Sequence, residues 1–339
     1  MRIVAIALAA VLGLTTVARS EPVELKQVPA DAKWLIHVDV DAMREATVVQ
    51  KAYHKCMEMH KDAQKHFDKV REMLGLDLKK DLHGITIYGK DLDRHHGVVI
   101  VHADVNQKLL LEKAQKAPDH KVAKYGSFEI HSWTHKHGKQ SHTAFGTFFK
   151  PNVLVLAGCD KALQAALDVL DGKSPGITDE KSPLGGRLAP GACLIVRATA
   201  FGPKVKCPIL KDADSLRVTL GENKGQSFYR ARLTMKSSEA ADQVKSIVEG
   251  FKAMVGLSHG SDALAMKLVG AIKVTTQDKA VRIAWSAPAE DVWTAIEKAG
   301  KEMREKWAKK HGAAAPGGVH KAPTCDKPST CPAKSDKPK

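Results

Sequence analysis

The chain has 339 residues and a formal net charge of +15, from 53 Lys and Arg against 38 Asp and Glu. Only 5% of the residues are aromatic, which leaves few rings for stacking nucleic-acid bases, so we expect no nucleic-acid partner. The basic balance predicts attraction to an anionic envelope polymer, a lipid surface or an acidic protein. The alternative interpretation is that excess lysine simply keeps the surface solvated.

Residues 1–20 have the pattern of a secretory signal. Met1-Arg2 gives a charged start, an apolar run follows, and Ala18-Arg19-Ser20 resembles a cleavage site. The apolar run of roughly 15 residues is shorter than the roughly 20 that span a bilayer, and no later run approaches that length. We therefore expect export to the periplasm or the extracellular space, with no transmembrane segment after the leader is removed.

Residues 21–172 are predicted to form a first repeat that opens on a strand over 34–40. Asp41 can cap a helix, and apolar residues at steps of three and four predict one long amphipathic helix over 49–74. The later predicted elements are a hairpin (85–89 and 97–103), a helix (106–117), three strands (125–137, 142–149 and 153–157) and a helix (160–171).

Residues 173–187 are rich in Gly, Pro and Ser, which predicts a linker. A similar order of predicted elements then recurs over residues 188–312 as a second repeat, whose opening strand contains Leu194-Ile195-Val196. The later elements of this repeat include a hairpin of 273–276 with 280–286. Residues 313–339 are rich in Lys and Pro and are predicted to be a disordered tail.

These elements predict an α+β fold made of two related repeats. Each repeat is expected to be an antiparallel sheet with helices on one face. The order βαββαβ within the first repeat predicts a ferredoxin-like unit, extended by an extra hairpin and helix. Whether the two repeats share one sheet stays open at this point.

Pro29-Ala30-Asp31-Ala32 precedes a strand that ends in Val38-Asp39, and residues 75–82 lead into the next strand. Residues 167–173 (LDVLDGK) form the end of a predicted helix. In these stretches the chain resembles a family of secreted bacterial proteins of unknown function with two α/β repeats. The resemblance covers most of residues 28–300. It implies export and a repeat fold, and it supplies no catalytic residue.

The histidines around residues 131–142 have the best spacing for a metal site. On an extended strand His131, His135 and His137 share one face, and a turn can bring His142 opposite His137. Several imidazoles on one face could bind Zn²⁺, Cu²⁺ or Ni²⁺. A solvated polar strand face is the alternative interpretation, because Lys136 would repel a cation.

Two other groups of polar residues could have a role. His37 and Asp39 alternate on the opening strand and form a candidate polar pair for proton transfer or cation binding. Cys56 and His60 are one helical turn apart, but both belong to the apolar stripe, which predicts a core histidine beside a core cysteine.

The six cysteines lie at positions 56, 159, 193, 207, 325 and 331, and the spacing leaves their disulfide connectivity open. We expect Cys193 to be a small buried apolar group. No catalytic motif is matched, so the sequence favours an exported, non-enzymatic binding or structural protein of the cell envelope. The alternative is a transition-metal-binding protein or metal-dependent hydrolase that uses the histidine-rich hairpin.

Overall fold

The computed structural model describes residues 24–60, 62–93, 96–137, 140–199, 201 and 205–311. The predicted leader and the predicted tail over 313–339 lie outside the described residues. The described residues up to Lys298 belong to one compact unit, and those from Ala299 onward belong to a second. The described part of the second unit is the largely exposed end of one helix.

Twelve described strands form one continuous sheet, so the two predicted repeats share it. The strands are β1 (Trp34–Asp39), β2 (Leu82–Gly89), β3 (Val98–Ala103), β4 (Lys121–Tyr125), β5 (Phe128–His137), β6 (Gln140–Lys150), β7 (Val153–Ala157), β8 (Ala192–Thr199), β9 (Ala213–Asn223), β10 (Gln226–Met235), β11 (Lys273–Gln277) and β12 (Ala280–Pro288). Their order across the sheet is β11-β12-β10-β9-β8-β1-β2-β3-β7-β6-β5-β4.

The two predicted opening strands are neighbours at the middle of the sheet. β1 pairs antiparallel with β8, which places Leu35 opposite Arg197 and Val38 opposite Leu194. The sheet extends outward as β1-β2-β3-β7 on one side and as β8-β9-β10-β12 on the other. The predicted α+β class is confirmed, and the predicted hairpin of 273–276 with 280–286 is present as β11 and β12.

The prediction of a ferredoxin-like arrangement is wrong. In a ferredoxin-like unit the two strands that a helical crossover joins run parallel, with a third strand inserted between them. Here β1 and β2, which a helical connection joins, are direct antiparallel neighbours, and β2 pairs on its other side with β3. The helical connection after β1 returns the chain beside β1 without skipping a strand position, so the same element order gives a meander.

The described helices differ widely in length. They are α1 (Val40–Glu45), α2 (Thr47–Met59), α3 (Ala63–Leu74), α4 (Gln107–Gln115), α5 (Asp160–Leu170), α6 (Pro208–Lys211), α7 (Ser238–His259), α8 (Ala263–Gly270) and α9 (Ala289–His311), with a short 3₁₀-helix at Leu25–Gln27. Within the described part of the chain, none of them combines the length and the apolar character needed to cross a bilayer.

The predicted long helix over 49–74 is instead two helices, because α2 ends at Met59 and α3 begins at Ala63. The ring of Tyr53 in α2 meets the ring of Phe67 in α3 edge to face, with centroids 6.0 Å apart. In one continuous helix these residues would lie about 21 Å apart along the axis. The apolar stripe thus continues across a break at which the chain folds back on itself.

The sheet carries two hydrophobic cores on opposite faces. Leu35 packs in the core beneath α5. Residues directly opposite each other on paired strands have their side chains on the same face, and the pairing from β1 through β8 and β9 to β10 therefore places Arg232 on the same face as Leu35. Leu233 follows Arg232 and therefore lies on the other face, where it packs with Val244 of α7. The core beneath α5 in the first half and the core beneath α7 in the second half therefore lie on opposite faces of the shared sheet.

The predicted linker over 173–187 packs against the first core. Ile177 and Leu184 are both buried, and Gly176 bridges to Pro29 next to the 3₁₀-helix. A Cβ atom at position 176 would lie 1.8 Å from the carbonyl oxygen of Lys26, so this close approach requires glycine. We call residues 173–187 the connector; it is a fixed part of the core.

Candidate functional site

Four arginines form a row across four adjacent strands. Arg197 in β8 lies opposite Arg217 in β9, and Arg217 lies opposite Arg232 in β10. Arg232 in turn lies opposite Arg282 in β12. Since neighbouring strands are about 4.8 Å apart, the row extends about 14 Å across the sheet.

The inner two arginines hold the connector. Arg197 is only 4% exposed, and its guanidinium donates hydrogen bonds to the carbonyl oxygens of Leu184 and Gly185 at 2.6 and 2.5 Å. Arg217 donates to the carbonyl oxygens of Pro183 and Ser182 at 2.9 and 2.5 Å. These two cations therefore bind backbone carbonyls of the connector, of which the Ser182 carbonyl also accepts from the backbone N–H of Gly185 at 2.8 Å.

Burial and mutual repulsion lower the pKa of the inner arginines. Burial, followed by the charge of Arg217, lowers the pKa of Arg197 to about 10. Burial and the charge of Arg232 likewise lower the pKa of Arg217. Both groups remain cations at neutral pH, so the row carries an uninterrupted line of positive charge.

The outer arginines are exposed. Arg232 and Arg282 continue the row, while Arg230 lies two residues before Arg232 on the same face of β10. Among the described residues, none of these three guanidinium groups has a carboxylate partner, and Arg230 contacts the ring of Phe228 at 5.2 Å. The outer end of the row is thus free to meet an external anion.

We call this surface the arginine face, and it consists of Arg217, Arg230, Arg232, Lys273 and Arg282. Lys273 of β11 lies opposite Ala284, which lies opposite Arg230. The other side chains on this face of β9 to β12 are neutral, as the register shows for Ser215, Thr219, Thr234, Thr275, Gln277 and Ser286. The face has five basic groups and no carboxylate.

The arginine face follows from period-two patterns in the strands. In residues 228–233 (FYRARL) the arginines alternate with Ala231 and Leu233, which pack in the core on the other side. Strand β12 repeats the alternation, with Arg282 between the core residues Val281 and Ile283. The basic residues are therefore directed away from the core by the same pattern that buries the apolar ones.

A line of like charges costs stability, since like charges directly opposite each other on adjacent strands repel. We expect Arg232→Thr to raise the free energy of unfolding by about 0.5 kcal/mol at low salt, and to do so less at high salt. Urea unfolding at two salt concentrations measures this change. Lys273→Thr is the matched control, because Lys273 has only Ala284 opposite it and should give no such gain. Equal effects of the two substitutions would contradict the prediction.

The predicted histidine cluster on β5 and β6 divides into two pairs. His131 lies beside His120, with Nδ1 3.0 Å from Nε2 of His120. His135 lies directly opposite His142, with ring centroids 5.8 Å apart. The side chain of His137 lies outside the described residues, and the register places Gln140 opposite His137 where the prediction had His142.

His131 and His135 do share a strand face, as predicted, but four residues of strand separate them by about 13 Å. Within the part of the chain that the structure describes, no group of three or more His, Cys, Asp or Glu side chains is arranged to hold a metal ion. Binding of Zn²⁺, Cu²⁺ or Ni²⁺ at His131, His135, His137 and His142 stays a prediction.

His37 and Asp39 line the same small cavity of about 330 Å³ but have different hydrogen-bond partners. His37 is buried, and its Nδ1 lies 2.9 Å from Oγ1 of Thr86. Asp39 caps α1 by accepting a hydrogen bond from the backbone N–H of Ala42 at 2.9 Å, and burial raises its pKa. The cap is therefore Asp39, and the prediction that Asp41 caps this helix is wrong.

The cysteine predictions have mixed outcomes. Cys193 is buried, as expected, and burial raises the pKa of its thiol. Cys56 and His60 are exposed, so the prediction that they form a core pair is wrong: α2 has no buried residue and lies on the surface. Cys56, Cys159, Cys193 and Cys207 are free thiols, whereas positions 325 and 331 lie outside the described residues.

No protein-family model matches the chain, and no curated protein matches it. Among solved structures, crystal form III of TP0453 matches with a TM-score of 0.44 and 8% identity, over 82% of this chain and 99% of that one. Crystal form I of TP0453 gives a TM-score of 0.43 and 9% identity, over 82% and 98%. Crystal form IV gives 0.40 and 8%, over 80% and 95%.

Proposed function

We propose that this is an exported, non-enzymatic protein that binds a linear anionic polymer of the cell envelope through the arginine face. The observation that carries the proposal is the row of arginines on adjacent strands, with no carboxylate on the same face. Such a row is unfavourable for the free protein, because its like charges repel. An anionic partner would relieve that repulsion.

The guanidinium group suits this role because it is planar and donates paired hydrogen bonds to one phosphate or carboxylate group. A line of such groups at strand spacing matches a chain molecule that has repeated anionic groups. A lipid surface fits less well, since the exposed outer part of the face has basic and hydroxyl side chains in place of an apolar fringe that could insert. We therefore commit to a polymer.

Export to the envelope rests on the leader pattern of residues 1–20. The two-repeat organisation is also a proposal. It is supported by the antiparallel neighbours β1 and β8 and by the matched outward orders β1-β2-β3-β7 and β8-β9-β10-β12. If the two halves are repeats, only the second half has an arginine face. In the first half, the positions that continue the row of arginines are Leu35 and Tyr88.

Replacing Arg230, Arg232 and Arg282 together by serine is expected to weaken binding of polyphosphate, used as the probe polymer, by about tenfold or more. Each lost guanidinium removes a charge-assisted contact. Fluorescence anisotropy of labelled polyphosphate, at about 50 mM and about 200 mM salt, should show a steep salt dependence for the wild type and a shallower one for the triple variant.

The matched control replaces Lys69, Lys113 and Lys161 by serine, which removes the same charge from exposed positions away from the arginine face. This control should bind polyphosphate nearly as well as the wild type. Equal losses in both variants would show that only net charge matters and would contradict the proposal. Arginine-dependent binding to anionic lipid vesicles without binding to polyphosphate would assign the face to a membrane and would also contradict it.

A further inference from the structure

A cleft of about 760 Å³ lies in the other half of the protein, against β1, β2 and β3. Three histidines line it, one from each of these strands: His37, His83 and His102. Phe149 and Asn152 contribute an aromatic ring and an amide. Ser174 and Gly176 of the connector also line the cleft, but holding the connector does not account for this concentration of polar groups.

His37 marks the cleft as a built site. Its ring is only 2% exposed, and Nδ1 is held by the hydroxyl of Thr86. The other ring nitrogen, Nε2, is buried and has no hydrogen-bond partner among the described residues. A buried polar atom without a partner costs free energy, so an unmet hydrogen-bonding group in the wall of a cleft indicates a ligand that meets it.

His83 is fixed from both sides. Its Nδ1 lies 3.0 Å from Oδ2 of Asp41, and its Nε2 lies 3.2 Å from Oδ2 of Asp104. Burial alone would lower the pKa of His83, but the hydrogen bonds with Asp104 and Asp41 outweigh burial and raise it. The histidine thus holds its two acidic neighbours, so the ring nitrogens of His83 are already engaged.

The charges around the cleft indicate a neutral ligand. Glu24 and Asp104 are balanced by Lys26 and Lys150. Burial and the nearby His102 lower the pKa of His37 to about 4, so its imidazole is neutral at neutral pH. A neutral imidazole offers either a donor or an acceptor at Nε2, which suits a hydroxyl group.

The remaining lining residues narrow the ligand class. Phe149 and Leu170 give the cleft an apolar wall beside the amides of Asn152 and Gln27. We propose that the cleft binds a neutral sugar, with one sugar hydroxyl hydrogen-bonded to Nε2 of His37 and a sugar face against the ring of Phe149.

The test is saturation-transfer NMR on the full chain with glucose, galactose, mannose, N-acetylglucosamine and maltose as probes. At least one of them is expected to bind with a Kd of about 1 mM or tighter. His37→Leu should weaken that binding by about tenfold. Asn152→Ala, at an exposed position on the rim, should weaken it as well and cannot act through the core.

His96→Leu is the matched control, because His96 is exposed and lies outside this cleft, and its binding should equal that of the wild type. Failure of all five sugars to bind would overturn the proposal. Binding that survives both His37→Leu and Asn152→Ala would overturn it too. A preference for glucuronate over glucose would exclude a neutral ligand. None of these outcomes depends on polyphosphate binding at the arginine face.

Discussion

Arg197→Met is expected to lower the free energy of unfolding by about 3 kcal/mol. Methionine fills much of the same space, so the loss reports the hydrogen bonds more than a cavity. The carbonyl groups of Leu184 and Gly185 are buried, and Arg197 donates to both of them. Without the guanidinium these acceptors stay buried and unsatisfied. Urea unfolding followed by circular dichroism measures the change.

The same substitution should loosen the connector. Lys181 and Arg187 are exposed on either side of the buried Leu184, and trypsin should cut there faster once the connector is released. Arg187→Met is the matched control for stability, because this side chain is 90% exposed, and its free energy of unfolding should stay within about 0.5 kcal/mol of the wild type. Similar unfolding curves for both variants would contradict the assigned role of Arg197.

The arginine row shows what a sequence cannot supply by itself. Arg197, Arg217, Arg232 and Arg282 are far apart in the chain, and each alone looks like an ordinary solvated residue. Only the strand register makes them neighbours. The available signal was local: in residues 228–233 (FYRARL) basic and apolar side chains alternate, which predicts a strand with one basic face.

The strands were predictable because periodicity is a local property, whereas their partners were not. The alternation in residues 280–286 identifies β12 and its hairpin with β11 directly. The order βαββαβ is compatible with a split βαβ unit or with a meander, and the choice depends on where each helical connection returns the chain. The break between α2 and α3 was not predictable for a similar reason. Tyr53 and Phe67 fit the apolar stripe of one long helix, and only the folded structure shows that their rings contact each other across the break.

The spacing of the histidines predicts their direction better than their separation. Strand alternation correctly places His131 and His135 on one face, yet the rise per residue keeps them about 13 Å apart. His37 was singled out for a pairing with Asp39, but its importance comes from burial and an unmet ring nitrogen. Burial depends on the whole sheet, so the sequence alone could not reveal it.

Acidification is expected to destabilise the protein through His37 by about 3 kcal/mol between about pH 6.5 and about pH 4. The pKa of His37 is about 4 in the folded protein, against 6.5 for an ordinary histidine, because of burial and the nearby His102. As the pH falls, the unfolded chain takes up this proton before the folded one does. Stability therefore falls with the pH. Burial also lowers the pKa values of His102 and His131, which adds in the same direction.

Urea unfolding across this pH range should show a flatter pH dependence for His37→Leu than for the wild type, because leucine has no proton to gain. His96→Leu provides a control of opposite sign. The hydrogen bond with Asp91 raises the pKa of His96, so that histidine adds stability in acid, and losing it should steepen the decline. If His37→Leu and the wild type lost stability in parallel, the pKa of His37 would be the same in the folded and unfolded states, and the predicted loss of stability through His37 would be wrong.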